Sequence, residues 1–498
     1  MKRLASSRWR RAVIPAALAV LLPLRADVAA TPAADPVEGI WVGHMGPAAN
    51  QAMLGLAIKR DAHGELAAKF CIDQINYYDQ PLQNFKAAGD GTYTDATLGL
   101  HLRLDGDRLA GEASGNYSPV DLHRADRLPE DPPVPETLSR GPGPRWQRKM
   151  GGPIYAPAAL RDGFAYVGAT NGVFTAVKLA DGSAAWTFAA GRPILGGALT
   201  TEDAVYFPCD DGRLYKLNRA DGKEVWRYEL GDAQVPRVLP DPNRREDDAF
   251  DFAGPTPVLV DGVLYVGSGD GSLHAVDAAT GQRVWRIETR GKLRTTVAVA
   301  GPNLALGSDG GLISLVERAT GKEVWQVDAK YPATGAPQIV GGRLVIGTRG
   351  SVLYGINLAT GARDWRIFFW GSWVESSAIE GNDGLGYIGA SDLRRVTCFD
   401  PKDGRIVWRT DVFGAPWGRP VLTDKFVYVG TADYTPYEIR HVGGVVALDR
   451  ATGRLAWRWP LPHPPGTFCS GFAAAPALAD GLLVIGGLDG SLYAFPGE

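Results

Sequence analysis

The chain is predicted to be all-β: an eight-bladed β-propeller preceded by a small antiparallel β domain. Three observations carry this. Tryptophan recurs at Trp146, Trp186, Trp226, Trp285, Trp325, Trp365, Trp408 and Trp457, with a base step of 40 residues and longer steps of 59, 43 and 49; a fixed period of that length marks a repeat architecture. Within a repeat, short runs of β-branched and aromatic residues alternate. The repeat ending at Trp285 reads Pro255-Thr-Pro-Val-Leu-Val260, Val263-Leu-Tyr-Val-Gly267, Ser272-Leu-His-Ala-Val276 and Gln282-Arg-Val-Trp-Arg-Ile287. Asp261-Gly262, Gly269-Asp-Gly271 and Ala279-Thr-Gly281 separate these runs and supply the positive-φ positions that tight hairpins need. The third observation concerns the ends of the array. The last repeat stops after Ser491-Leu-Tyr-Ala-Phe495, before any tryptophan, and Arg145-Trp-Gln-Arg-Lys149 has no strands of its own before it. The two fragments complement each other, so the early strand is expected to complete the last blade and close the ring without an open edge.

In chain order, residues 1–30 read as a secretory signal. Lys2, Arg3, Arg8, Arg10 and Arg11 form a basic head, Ala12 to Leu24 an apolar stretch, and Val28-Ala-Ala30 a small-residue cleavage site. Pro15 and Pro23 interrupt a run already too short to span a bilayer, and Arg10-Arg11 hints at twin-arginine export. The mature protein is expected in the periplasm. The segment holds six Lys/Arg against one Asp, so its removal shifts the formal charge from −3 to −8. A mildly acidic chain without a basic stripe is a poor partner for nucleic acid.

Residues 37–128 read as a separate small antiparallel β domain (a meander, sandwich or small barrel) with an accessory or interaction role. Gly39-Ile-Trp41-Val-Gly43 resembles the opening strand of lipocalin-like barrels. Residues 129–144 follow as a proline-rich, semi-rigid extended linker, and residues 145–498 hold the propeller. Cys71, Cys209, Cys398 and Cys469 lie far apart, with Cys209 and Cys398 on opposite sides of the ring, and read as free thiols. The seven histidines show no zinc spacing.

The run Ala-x-Asp-x-x-Thr-Gly-x-x-x-Trp, from Ala275 to Trp285 and from Ala447 to Trp457, resembles the tryptophan-docking motif of the pyrroloquinoline quinone (PQQ) repeat superfamily. The resemblance covers residues 145–498 and implies that each repeated tryptophan packs between neighbouring blades as a structural girdle. The superfamily holds quinoprotein dehydrogenases as well as non-catalytic propellers of the BamB, outer-membrane-assembly type, and the fold does not choose between them. The dehydrogenases imply PQQ, a calcium or lanthanide ion, a vicinal disulfide and a catalytic aspartate. This sequence has no Cys-Cys pair and no haem-attachment CxxCH, and Glu246-Asp-Asp248 lacks the spacing of a calcium loop. No cofactor, metal or catalytic residue is therefore assigned. No cysteine lies near the cleavage site, so the lipid anchor of a BamB-type lipoprotein is not expected.

Strand alternation sends the D-to-A and B-to-C connections to one face of the disc. Both long insertions, Asp232 to Phe252 and Asp433 to His441, fall there, which marks it as the working face; simple tolerance of insertion is the bland alternative. The inner strands begin at the funnel mouth on that face, where Tyr155, Asp251, Arg294, Trp373, Glu375, Trp417 and Arg419 are the candidate ligand-binding residues. Aromatic planes, arginines and a carboxylate suit a flat anionic ligand, a peptide or a glycan; polar pairs that simply plug the funnel are the competing reading. The expected function is an exported, non-catalytic binding or scaffold propeller presenting loops and funnel to an envelope protein, peptide or polymer. The alternative is a PQQ-dependent dehydrogenase with an atypical site.

Overall fold

A computed structural model describes residues 34–48, 51–231, 237, 250–434, 439–465 and 467–498. The predicted signal segment, most of the first insertion (with Glu246-Asp-Asp248) and the tip of the second lie outside the described residues.

Eight antiparallel sheets make the ring, seven of four strands and one, blade 7, of five, where Cys469–Gly471 pairs with the end of its second strand. Blades 1 to 7 take residues 159–189, 199–229, 258–288, 298–328, 338–368, 379–411 and 421–460, each a meander whose strands A to D run from the axis outward. Blade 8 is composite: its strands A to C span residues 477–496, and Trp146–Lys149 pairs with Ser491–Pro496 as strand D. The eight-bladed ring is thus closed by hydrogen bonds between its first and last strands.

One register repeats in every blade. The tryptophan on strand D pairs with a residue on strand C, as Trp285 does with Ala275 and Trp146 with Ala494. In blades 1 to 7 the ladder slips just after that pair, as between Ala275 and Val276. The ring then leans on the next blade, and indole Nε1 donates to a backbone carbonyl there. Trp186 reaches Arg219 at 2.9 Å, Trp325 reaches Leu358 at 2.8 Å, and Trp365 reaches Pro401 at 2.8 Å. The Thr-Gly turn of the next blade passes over the same ring. Gly281 (φ 72°) lies on Trp226, and a Cβ there would run into the indole, so glycine is required both by backbone and by space. Packing between blades, rather than ligand contact, explains the periodic tryptophan.

The junction after blade 7 has no such turn, because strand C of blade 8 leads into the last residues. Here the proline-rich segment intervenes. Gly141 covers the Trp457 ring, its N–H donates to the Arg458 carbonyl at 2.9 Å, and the Arg458 N–H donates to the Ser139 carbonyl at 3.1 Å. The segment turns once, where the Leu138 N–H donates to the Pro135 carbonyl at 3.0 Å, and then docks on the edge of blade 7 as a parallel bridge at Arg140 and Arg458.

The N-terminal domain is one curled antiparallel sheet of nine strands: β1 (Gly39–Met45), β2 (Ala52–Arg60), β3 (Leu66–Ile72), β4 (Tyr77–Leu82), β5 (Lys86–Ala87), β6 (Thr92–Thr94), β7 (His101–Asp105), β8 (Arg108–Glu112) and β9 (Val120–Ala125), in the order β4-β3-β2-β1-β9-β8-β7-β6-β5. Its concave side is filled by Trp41, Leu54, Leu56, Phe70, Leu102 and Leu122, all buried. That core continues into the propeller through Trp370, Phe369 and Val374, and Tyr117 packs on Trp370 with centroids 5.7 Å apart. Asn76 Nδ2 donates to the carbonyls of Asp392 and Leu393 at 2.9 and 3.0 Å. Arg394, fully buried, donates to Asp131 at 3.0 Å and to Asp411 at 2.7 Å. The domain therefore sits on the face of blades 5 and 6 where the D-to-A and B-to-C connections emerge.

Candidate functional site at the mouth of the central channel

The start of each inner strand carries its side chains to the axis, where a cavity of about 570 Å³ opens. Tyr155, Arg294, Glu375, Trp417 and Arg419 line it; Trp373 lines a smaller niche of about 180 Å³ beside it, shared with Tyr77 of the N-terminal domain. Asp251 is buried behind Arg294. All seven sequence-predicted residues thus meet at the mouth, though not on one ligand surface.

Their charges are largely spent on each other. Asp251 pairs with Arg294, with Lys292 at 3.2 Å and with Arg237 at 3.5 Å, and Arg237 also grips Asp210 with two bonds of 2.8 Å. Glu375 Oε1 accepts from Arg349 Nε at 2.8 Å, while Oε2 is buried without a hydrogen bond. The Arg349 guanidinium lies 4.4 Å from the centre of the Trp373 ring, a cation–π contact. Asp309 hangs at the edge of this network. Burial, then repulsion from Asp251, pushes its carboxyl up to about 6 against the pull of Arg349, Lys292 and Arg294.

The aromatic planes are covered too. Trp417 stacks on Tyr434 at 5.3 Å and meets Phe252 at 4.8 Å; Phe252 in turn stacks on Tyr155 at 5.4 Å. Phe250 sets its edge against Trp373, Trp417 and Tyr434 at 6.0, 5.8 and 5.8 Å. The tryptophans form an aromatic cap held by the first insertion, rather than open platforms. Behind Tyr434 stands His441, stacked at 4.3 Å and pushed down to about 3 by burial and the Arg394 charge.

Arg419 is the exception. It is exposed to the cavity and has no hydrogen bond or ion pair among the described residues. Surrounding protein lowers its pKa, with no carboxylate to offset the desolvation.

The sequence reading missed Arg349, Asp309, Phe250 and Phe252. Arg349 had a visible signal. The residue heading the B-to-C turn is Thr170, Asp210, Gly269, Asp309 or Leu488 in other repeats and a cation only here. The two phenylalanines lie at the end of the first insertion, which the repeat does not align.

A quinone with a carboxylate-held divalent ion does not fit these residues. Asp251 is ringed by three cations, Glu375 by one, and no group of three or more His, Cys, Asp or Glu among the described residues is placed to hold a metal. The faces of Trp417 are already in contact.

The chain has relatives among known proteins. It is 30% identical over 108 residues to the outer membrane protein assembly factor BamB of Yersinia pestis, a stretch covering 22% of this chain and 24% of that relative. The chain therefore matches about a quarter of the length of that relative. Among solved structures, BamB from Moraxella catarrhalis superposes with a TM-score of 0.54 at 17% identity, covering 70% of this chain and 96% of that one. The quinohemoprotein alcohol dehydrogenase of Comamonas testosteroni gives 0.55 at 17% identity over 73% and 78%. At such identities the likeness concerns the fold. A model of the glucose/ethanol/alcohol dehydrogenase β-propeller domain matches residues 223–303. A second model covers residues 141–244, 269–378 and 392–498, well over half of the sequence, and by that match the chain belongs to the PQQ-repeat family described as outer membrane protein assembly factor BamB.

Proposed function

We propose that this protein is an exported, non-catalytic scaffold of the cell envelope, holding a protein or peptide partner on the face where the D-to-A and B-to-C connections emerge. One observation carries the reading: the charged and aromatic residues of the mouth are committed to one another. An active site keeps at least one acid or base poised against the substrate; here Asp251 and Glu375 are tied to arginines, and Asp309, the one carboxyl of this network that is pushed up, does not line the cavity. Membership of the BamB-described family supports an envelope protein as the partner and the periplasm, or the inner side of the outer membrane, as the place. No helix among the described residues is long and apolar enough to cross a membrane.

The same face offers an anchor. Tyr331, between blades 4 and 5, is 57% exposed, and its ring lies over Gly350, which leaves the aromatic rigid and outward. Exposed, pre-ordered tyrosines are frequent binding hot spots. A photo-crosslinking amino acid at position 331 should yield an adduct with an envelope protein, and Tyr331→Ala should weaken capture by about thirtyfold, corresponding to about 2 kcal/mol.

A dehydrogenase with an atypical site is the second reading, favoured by the dehydrogenase-propeller match over residues 223–303. Dye reduction by protein supplied with PQQ and calcium, with any alcohol or sugar, would establish it in place of the scaffold.

A further inference from the structure

Arg419 stands two residues before the first residue of the inner strand of blade 7, Val421. The equivalent residue is small in the other seven blades, and it is hydroxylated at Thr256, Thr296 and Ser377. All of these but Gly197 line the same cavity. The ring therefore holds a single charged side chain, set one tier below the paired residues of the mouth.

A guanidinium without a counter-charge inside a protein is costly unless water or a ligand answers it. The cations above it cannot be what the cavity offers, since Arg294, Lys292 and Arg237 are held by Asp251, and Arg349 is held by Glu375. The remaining wall is apolar or neutral: Leu195, Val421, Pro476 and Leu478, with Gln338 and the three hydroxyls. A cavity of about 570 Å³ is within the usual size of small-molecule sites.

We infer that the central channel binds a small organic monocarboxylate, its carboxylate on Arg419 and its apolar body against Leu195, Val421 and Leu478. One fork-shaped cation matches one planar carboxylate through two parallel hydrogen bonds, with the Ser377 hydroxyl at the equivalent position of the neighbouring blade. A phosphate dianion or a tricarboxylate calls for more positive charge than the channel leaves free. The channel lies beneath the face assigned above to a protein partner, so carboxylate binding and partner capture can fail separately.

Titration calorimetry of the whole protein with benzoate and octanoate, each against its neutral amide, tests this. The acids should bind at least tenfold more tightly than benzamide and octanamide, and Arg419→Gln should erase that difference while far-ultraviolet circular dichroism stays unchanged. The acid–amide comparison in the unmodified protein stands even if the variant does not fold. Equal affinity for acid and amide, no binding of either acid at millimolar concentration, or retention of the difference in Arg419→Gln would overturn the assignment. Tighter binding of inorganic phosphate or of PQQ than of the monocarboxylates would overturn it as well.

Discussion

Asp309 shows how a single side chain at the mouth shapes stability. Its carboxyl is pushed up from 3.8 to about 6, so between about pH 4 and 6 the folded protein keeps a proton that the unfolded chain has released. Stability from this group is therefore greatest at the acid end and falls as pH rises through 6. Asp251, which repels it, and Arg349, Lys292 and Arg294, which attract it, face it from neighbouring turns. Asp309→Asn should leave the protein more stable than wild type by about 2–3 kcal/mol at pH 8, with the two converging near pH 4. Urea denaturation at both pH values checks this. Such residues were only partly legible in the sequence. Arg294, Glu375 and Arg419 departed from a small-residue consensus and so announced themselves. Asp309 looked like one more Asp-Gly turn, and nothing local says that it faces Asp251 of the neighbouring blade.

The elements divide by whether their signal is local. Blade strands could be read because each tight turn carries its own chemistry, as Asp261 (φ 48°) and Gly262 (φ 79°) do. In the N-terminal domain β4, β5, β6 and β8 escaped notice; Lys86-Ala87 and Thr92-Tyr-Thr94, for example, are too short and too polar to alternate visibly. The segment before the ring was legible as stiff, yet its turn and its docking were not. Proline content fixes stiffness and leaves the pairing partner open. Gly141 is the residue on which that docking turns. Gly141→Val would drive a branched side chain into the Trp457 ring, and overpacking of this kind costs about 1–3 kcal/mol. The expected result is a lowered Tm, with faster proteolytic cleavage between residues 129 and 145 than in wild type. An unchanged cleavage rate would show that the segment is held by the contacts of Asp131 and Pro132 with Arg394 and Arg440 instead.

At the scale of the molecule, the ring and its blade number were legible because the two ends of the array are complementary fragments. The seating of the N-terminal domain was not, since it rests on Asn76, Tyr117 and Asp131 meeting residues some 250 to 320 positions away. Removal of residues 146–149 should leave blade 8 with three strands and the junction with blade 1 without its tryptophan. The shortened protein is expected to unfold over a broader range of denaturant and to sediment as a more expanded particle. A sharp, unshifted transition would mean that the first and last blades hold together through side chains alone.

The pairing of Trp146 with Ala494 also dictates a timetable. A polypeptide delivered amino end first, by a ribosome or a translocase, presents Trp146–Lys149 long before Ser491–Pro496 exist to receive it. Until then Trp146–Lys149 has no strand to pair with, and the apolar faces of blades 1 and 7 that blade 8 will cover stay bare, inviting the wrong neighbour. The early domain can finish its own sheet during that wait, whereas the wheel locks in one late step. The vulnerable interval of this protein is therefore the one before Ser491–Pro496 emerge, and a chaperone would find its client there.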